Sequence, residues 1–277
     1  MNWFLIRESL TVLLIFLFYT LPIAIPVYLF APETFLLVAG SIVGLVVISV
    51  LYSVVRSWIH RYRQEYIESE ELQSTMDTFS DPLTQKLSLP MPSISVVADS
   101  VVNARAGGLS YRTGYVELTE GLVMYLNPAD LKVVISHELS HIKSRDGLII
   151  HLLQGPYSVI VWIMIMIRYI QAKTDSIIVS LPIYIIQVIL KLYSSVLLIG
   201  IRSIMRGREH LADRDAARVT SKQDVIQTLQ KLQSLSSDSE ESSSLFNEYT
   251  DSLFHTHPSI EERINHLQKT DLTAFEE

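Results

Sequence analysis

The stretch Phe35–Val55, FLLVAGSIVGLVVISVLYSVV, decides the class of fold because it contains no charged residue. An α-helix needs about 20 mostly apolar residues to cross a hydrocarbon core of about 30 Å, and this run has that length. The stretch before it, Leu10–Phe30, is also uncharged, and only residues 31–34 (APET) separate the two. The pair therefore predicts a transmembrane helical hairpin.

Two further apolar stretches lie later in the chain. Leu148–Ile167 is uncharged although it contains His151 and Pro156, and Ile177–Ile201 is apolar apart from Lys191. Polar side chains at membrane depth usually face other protein or a wet cavity. We therefore predict four spans in two hairpins, with the first hairpin alone as the alternative.

The overall composition agrees with a membrane protein and excludes several kinds of site. The 277 residues are 49% hydrophobic and 18% charged, whereas soluble domains are about 25% charged. The net charge of −7 argues against a nucleic-acid partner, because binding phosphates requires clustered lysine and arginine. The chain has no cysteine, which excludes disulfides and cysteine-bound metals. Any metal site must therefore use histidine and carboxylate ligands.

Lysine and arginine divide unequally between the two sides of the predicted membrane. One side holds Arg7, Arg56, Arg61, Arg63, Lys143, Arg145, Arg202, Arg206 and Arg208. The other side holds only Arg168 and Lys173. Because cytoplasmic loops carry the excess of positive charge, the first side is predicted to be cytoplasmic. The sequence thus predicts a multi-pass protein of the cell's inner or plasma membrane whose long polar segments face the cytoplasm.

These patterns divide the chain into four parts. Residues 1–55 form the first hairpin and residues 148–204 the second, while 56–147 and 205–277 together form one cytoplasmic domain. The expected fold is mainly α, with a cytoplasmic α+β domain that contains a small sheet.

The polar parts carry local signals of their own. Ser93–Val97 and Gly114–Leu118 are rich in β-branched and aromatic residues, which predicts short strands. The charged stretch from Arg61 to Glu71 is expected to continue the second span as a helix. Ser234–Ser244 is dominated by serine, aspartate and glutamate, and it predicts a mobile, solvated loop.

The chemistry is indicated by HELSH at residues 137–141, which has the pattern H-E-x-x-H. Asn127 can cap the predicted helix, and apolar residues recur at helical spacing through it. On such a helix, His137 and His141 lie one turn apart on one face, where both imidazoles can reach a metal ion at about 2.1 Å. Glu138 lies beside them, where it can take a proton from water. A solvated helix face with two ordinary histidines is the alternative.

A third ligand has to come from elsewhere in the chain. Catalytic zinc takes three protein ligands and keeps one position open, and the metzincin continuation is excluded because Gly147 stands where its third histidine is expected. Glu209 can ligate from a second helix while Asp213, one turn later, hydrogen-bonds a ligand histidine. His210 is the rival ligand, although it points about 100° away from Glu209 on the helix.

Taken in order, these features resemble the HtpX-type membrane endopeptidases, a group of integral-membrane zinc metalloproteases that also includes the CAAX prenyl endopeptidases. The resemblance runs through essentially the whole chain and rests on NARAG at 103–107, HELSH at 137–141, EHLAD at 209–213 and HPSIEERI at 257–264. It implies a zinc metalloendopeptidase of the gluzincin type with one Zn²⁺ per chain. His137, His141 and Glu209 would hold the zinc, Glu138 would be the general base and Asp213 would support the ligands.

The resemblance also implies residues that bind substrate. A strand carrying Asn103 and Ala104 would pair with the substrate backbone, but Arg105 stands where the group has an aromatic or apolar residue, which leaves the preference at this strand open. His257 would stabilise the oxyanion, with His255 as the alternative. Arg263 would bind the C-terminal helix to the helices of the site.

The function expected from this resemblance is hydrolysis of peptide bonds in membrane or misfolded proteins at the cytoplasmic face, with polypeptides and the lipid bilayer as partners. One alternative is a membrane scaffold or chaperone-like protein with a structural zinc ion, which would require four protein ligands. Another is a di-iron oxidase, which would need a second E-x-x-H motif, and the sequence contains no second copy.

Overall fold

The structure, a computed structural model, describes Tyr28 and residues 32–67, 70–173, 176–237 and 258–272. The chain divides into two compact units, one comprising residues 1–63 and 149–201 and the other residues 64–148 and 202–277.

A short 3₁₀ helix at Pro32–Thr34 precedes the first long helix. The described helices are α1 (Phe35–Tyr62), α2 (Glu70–Leu87), α3 (Glu120–Tyr125), α4 (Pro128–Lys143), α5 (Asp146–Gln171), α6 (Ile177–Val219), α7 (Lys222–Ser237) and α8 (Ile260–Lys269). The strands are β1 (Ser93–Val97), β2 (Ala104–Gly107) and β3 (Tyr115–Thr119).

Three of the described helices are long and apolar enough to cross a membrane. These segments are Val43–Tyr62, Asp146–Gln171 and Ser180–Val219. They contain most of the second, third and fourth apolar stretches predicted from the sequence, so the prediction of apolar helices there is confirmed. The first stretch, Leu10–Phe30, lies outside the described residues apart from Tyr28, and the arrangement in two hairpins stays a prediction.

Helix α6 is longer than the sequence led us to expect. It runs for 43 residues, or about 65 Å at 1.5 Å per residue. From the sequence, its apolar stretch belongs to the second hairpin at 148–204 and the segment that carries Glu209 to the part at 205–277. They are one helix because residues 202–206, RSIMR, contain neither proline nor glycine and leave nothing to interrupt the backbone hydrogen bonds.

Helix α1, by contrast, ends earlier than expected. The prediction that it continues to Glu71 is wrong, because the chain turns at residues 63–64 and the backbone around Tyr66 then pairs with β1. Tyr66 forms an antiparallel bridge with Val97, and the Ile67 amide donates to the Val96 carbonyl over 2.8 Å. These sheet contacts are non-local and offer the backbone an alternative to the helix.

The three strands form one small mixed sheet in the order β1–β3–β2. β1 pairs with β3 in parallel, with Ser93 opposite Tyr115, while β2 pairs with β3 antiparallel, with Ala104 opposite Leu118. The first predicted strand is confirmed at Ser93–Val97, and the second is displaced by one residue. Because β3 is central, β2 is an edge strand.

Helix α4 packs on this sheet and is buried along most of its length. Its first turn is capped by Asn127, whose side chain accepts from the amides of Ala129 over 2.9 Å and Asp130 over 3.0 Å. Ile135 and Leu139 are 0% exposed and belong to the same apolar core as β3. This packing fixes the rotation of α4 and directs its histidines toward α6.

The C-terminal helices close a second apolar cluster. Leu267 of α8 packs with Val225 and Leu229 of α7 and with Val133 of α4. Helix α7 extends to Ser237, so the first residues of the predicted loop at Ser234–Ser244 are helical, and the rest of that segment lies outside the described residues.

Candidate metal centre

Helices α4 and α6 bring three possible ligands to one point. The Nε2 atoms of His137 and His141 lie 3.1 Å apart. The Glu209 carboxylate lies between them, with Oε2 3.3 Å from Nε2 of His137 and Oε1 3.4 Å from Nε2 of His141. The sequence-predicted ligand set is therefore together in space.

The separations of these donor atoms fit a metal ion. Ligands at about 2.1 Å from a tetrahedral zinc ion lie about 3.4 Å from one another, and the three observed separations are 3.1, 3.3 and 3.4 Å. Two imidazoles and one carboxylate, without thiolate, are a donor set that suits zinc. Within the described part of the chain, no fourth histidine or carboxylate joins this group.

The rival ligand, His210, faces another partner. Its ring stacks on the His266 ring of α8 with 3.9 Å between centroids and 14° between planes. His210 follows Glu209 on α6, and one residue of helix rotation is about 100°. The His210 ring therefore contacts His266 and is not one of the three grouped ligands.

Asp213 lies behind His137, as expected from its spacing. Its Oδ1 is 3.0 Å from Nδ1 of His137, and Arg263 of α8 donates through Nε to Oδ2 over 2.8 Å. Burial lowers the pKa of His137 and so does the charge of Arg263, but the hydrogen bonds to Asp213 and Glu209 outweigh both and raise this pKa to about 10. The metal-free site therefore retains a proton that a metal ion would have to displace.

A carboxylate that the sequence analysis missed lies behind the other histidine. Asp146 Oδ2 is 2.6 Å from Nδ1 of His141. Burial lowers the pKa of His141, but the hydrogen bond to Asp146 raises it overall. The only signal in the sequence is an aspartate five residues after His141, and it becomes a neighbour because the chain turns at Arg145, which has a positive φ of 53°.

Glu138 lines a cavity together with His137, one of the three candidate ligands. The cavity has a volume of about 630 Å³ and lies between α4, the segment that enters β2, and α7. His137 and Glu138 contribute to one wall, Asn103 and Ala104 to another, and apolar residues of α7 such as Leu229 to a third. Glu138 is 8% exposed. The structure therefore places the predicted general base and two predicted substrate-binding residues around one space.

The Arg105 side chain does not line this cavity. Successive side chains of a strand point to opposite faces, and Arg105 points to the face opposite Ala104. Its Nε contacts Oε2 of the buried Glu117 at 2.5 Å, and the Tyr66 hydroxyl donates to the other oxygen of the same carboxylate. The Arg105 backbone pairs with Glu117 of β3 in the same register, so the expected contact of Arg105 with substrate is not supported by its placement.

The two candidate oxyanion residues, His255 and His257, lie outside the described residues, so their roles stay predictions. The described chain resumes at Pro258, and Ser259 caps α8 by accepting from the Glu262 amide over 3.1 Å. This cap sets the start of the helix that presents Arg263 to Asp213.

Comparison with known proteins identifies the family of this chain. The profile of Peptidase family M48 matches residues 67–271. Protease HtpX homolog from Pyrococcus furiosus is 32% identical over 237 residues, which cover 78% of this chain and 79% of that protein. Protease HtpX from Histophilus somni is 31% identical over 197 residues, which cover 68% of each.

A solved structure shares the fold. The crystal structure of S. mikatae Ste24p matches 96% of this chain and 66% of its own chain, with a TM-score of 0.54 and 18% sequence identity. The family match and the HtpX relatives confirm the resemblance inferred from the motifs, and the chain belongs to peptidase family M48, among its HtpX-like membrane metalloproteases.

Proposed function

We propose that this protein is a zinc-dependent endopeptidase that hydrolyses peptide bonds of membrane or misfolded polypeptides at the cytoplasmic face of a membrane. The observation that carries the proposal is the convergence of His137, His141 and Glu209 within 3.4 Å of one another, next to Glu138 at a cavity. The HtpX relatives support the same activity class.

In this proposal His137, His141 and Glu209 hold one Zn²⁺ per chain and leave one coordination position for water or substrate. A zinc ion held by these residues would supply Lewis-acid chemistry, polarising the scissile carbonyl and lowering the pKa of the attacking water. The carboxylates behind the histidines keep the Nδ1 protons in place, so that both Nε2 atoms face inward.

Glu138 moves the proton. It follows His137 directly on α4 and faces the cavity, so it can take a proton from the attacking water and deliver it to the leaving amine. A donor close to the cleaved carbonyl adds stabilisation of the oxyanion. We assign that donor to His257, with His255 as the alternative.

The substrate backbone is proposed to add to β2. An edge strand presents unpaired amide and carbonyl groups to an extended peptide. Asn103 and Ala104 line the same cavity as Glu138, so a peptide beside β2 would pass the proposed metal ligands. In this register the backbone groups of Ala104 face outward, whereas those of Arg105 pair with Glu117 of β3. We therefore assign pairing with the substrate backbone to Ala104 in place of Arg105, and recognition depends on the extended shape of the substrate.

The four-part organisation belongs to the proposal as well. Hairpins at 1–55 and 148–204 would anchor the chain, and 56–147 with 205–277 would form the catalytic domain. The excess of arginine at one end of the apolar stretches supports a cytoplasmic location of that domain. A scaffold with structural zinc is disfavoured, because the described residues supply three ligands to the cluster rather than four.

The experiment that tests this function uses the full chain in detergent with unfolded casein as substrate. Zinc-loaded parent protein should cleave casein, chelator-treated protein should not, and Glu138→Gln should bind zinc but cleave about 10²–10⁴-fold more slowly. Glu120→Gln is the matched control, because Glu120 is an exposed glutamate at the start of α3. Parent-like cleavage by Glu138→Gln would contradict the role of Glu138, and zinc binding without cleavage by the parent would favour the scaffold.

A further inference from the structure

The second ligand histidine is backed by a buried ion pair. Asp146 is 3% exposed, and its Oδ2 lies 2.6 Å from Nδ1 of His141. The other oxygen, Oδ1, accepts from the guanidinium of Arg208, which is 7% exposed. A continuous chain of contacts therefore runs from imidazole to carboxylate to guanidinium.

Arg208 also joins α6 to the turn between α4 and α5. It donates to the carbonyl of Ser144, in the turn between α4 and α5, as well as to Asp146 at the start of α5. On α6 it directly precedes Glu209. The same turn of α6 thus delivers the carboxylate ligand and the cation that holds the turn behind His141.

The direction of these contacts selects the form of His141 that can bind a metal. When Nδ1–H donates to Asp146, the lone pair of Nε2 is free. That Nε2 is the atom 3.1 Å from Nε2 of His137 and 3.4 Å from Oε1 of Glu209. Loss of Asp146 would allow the ring to rotate or to hold its proton on the inner nitrogen.

We infer that Asp146 and Arg208 are a positioning pair for the metal site. Asp146 fixes the tautomer and the orientation of His141, and Arg208 holds Asp146 in place. Glu209, the residue after Arg208, lies against Nε2 of the same imidazole. The inference rests on the proposed function because it takes His141 and Glu209 as zinc ligands.

The test measures zinc affinity of the full chain in detergent by competition with a chromophoric chelator, and it requires no proteolysis. Asp146→Asn keeps the shape of the side chain and removes its charge. We expect its zinc dissociation constant to be about 10–100 times that of the parent, the usual effect of losing such a partner. The melting temperature of the metal-free protein is recorded alongside, because a merely structural role would move that value and not the affinity.

Asp215→Asn is the matched control. Asp215 is 4% exposed and also lies on α6. It accepts from Ser140 Oγ over 3.1 Å and from Lys143 Nζ over 3.0 Å. Asp215 therefore joins the two helices that carry the candidate ligands, with the same charge as Asp146 but without contact with the imidazoles. The zinc affinity of Asp215→Asn should stay close to that of the parent.

Arg208→Lys provides a second variant that keeps the positive charge. Lysine lacks the planar fork that can bind a carboxylate and a carbonyl together, so zinc affinity should fall in the same direction as in Asp146→Asn. In the Asp146→Asn background, Arg208→Lys should add little, because the two residues act through each other.

The outcomes separate this inference from the proposed function. If the parent binds one zinc ion and Asp146→Asn binds it equally well, the positioning role is wrong while the endopeptidase proposal stands. Equal weakening by Asp146→Asn and Asp215→Asn would also overturn it, because it would indicate a general loss of packing. A parent protein that binds no zinc would end both proposals.

Discussion

Replacing Gly114 by alanine should disturb α4, the helix of His137 and His141, through contact with a single side chain. A Cβ atom at Gly114, just before β3, would lie 2.6 Å from Cγ2 of Ile142, whereas ordinary van der Waals contact begins at 3.4 Å. The two groups must therefore separate by about 0.8 Å. Ile142 is 5% exposed, and its β-branched side chain has little rotameric freedom, so the displacement passes to the backbone of α4 next to His141.

Two magnitudes follow from this displacement. Overpacking of a buried site costs about 1–3 kcal/mol, which would lower the melting temperature by roughly 2–12 °C in a chain of this size. A shift of about 1 Å in a catalytic group can cost about 10² in rate, so we expect casein cleavage by Gly114→Ala to fall about 10- to 100-fold.

The assay compares Gly114→Ala with Gly207→Ala, both zinc-loaded in detergent, by thermal unfolding and by casein cleavage. Gly207 lies within α6, and a Cβ there would meet no described atom within 4 Å. Its replacement should be neutral or stabilising by up to about 1 kcal/mol. If Gly114→Ala has the melting temperature and the casein-cleavage rate of the parent, the rigid coupling of β3 to α4 is refuted.

Two further predictions concern the metal and the C-terminal packing. Zinc should bind more tightly as pH rises from 6 to 8, by about tenfold per pH unit for each proton released. The reason is that His137, with its pKa raised to about 10, is protonated before zinc binds. Chelator competition at several pH values measures the affinity, and a pH-independent affinity would contradict the prediction. Leu267→Ala should lower the free energy of unfolding by about 2–5 kcal/mol, because Leu267 of α8 is 1% exposed and packs with apolar residues of α7 and α4. Thermal unfolding measures this loss against Gln268→Ala, a change at an exposed neighbour, and equal effects of the two changes would contradict it.

The spacing of the candidate ligands within each helix could be predicted because its determinants are local. His137 and His141 share a face of α4 through helical spacing alone, and Asn127 marks where that helix begins. Glu209 and Asp213 have the same spacing on α6, so the Glu209 carboxylate reaches Nε2 of His137 and the Asp213 carboxylate reaches Nδ1 of the same ring. Helix periodicity requires no knowledge of the rest of the fold.

The features that were missed depend on distant parts of the chain. Asp146 reaches His141 only because the chain reverses at Arg145, a left-handed conformation that its sequence does not announce. The orientation of Arg105 follows from strand register, which places it directly opposite Glu117. Pairing between strands and turn geometry are set by tertiary contacts, so a single sequence leaves them open.

The uninterrupted course of α6 limits how this chain can vary in length. Glu209 belongs to the same helix as the apolar residues 177–201, so one inserted residue between them would turn the carboxylate by about 100° relative to that stretch and displace it by 1.5 Å. Seven inserted residues would restore its facing to within about 20° but add roughly 10 Å of length. Apart from Arg208, the residues of segment 202–208 should therefore tolerate substitution better than insertion or deletion.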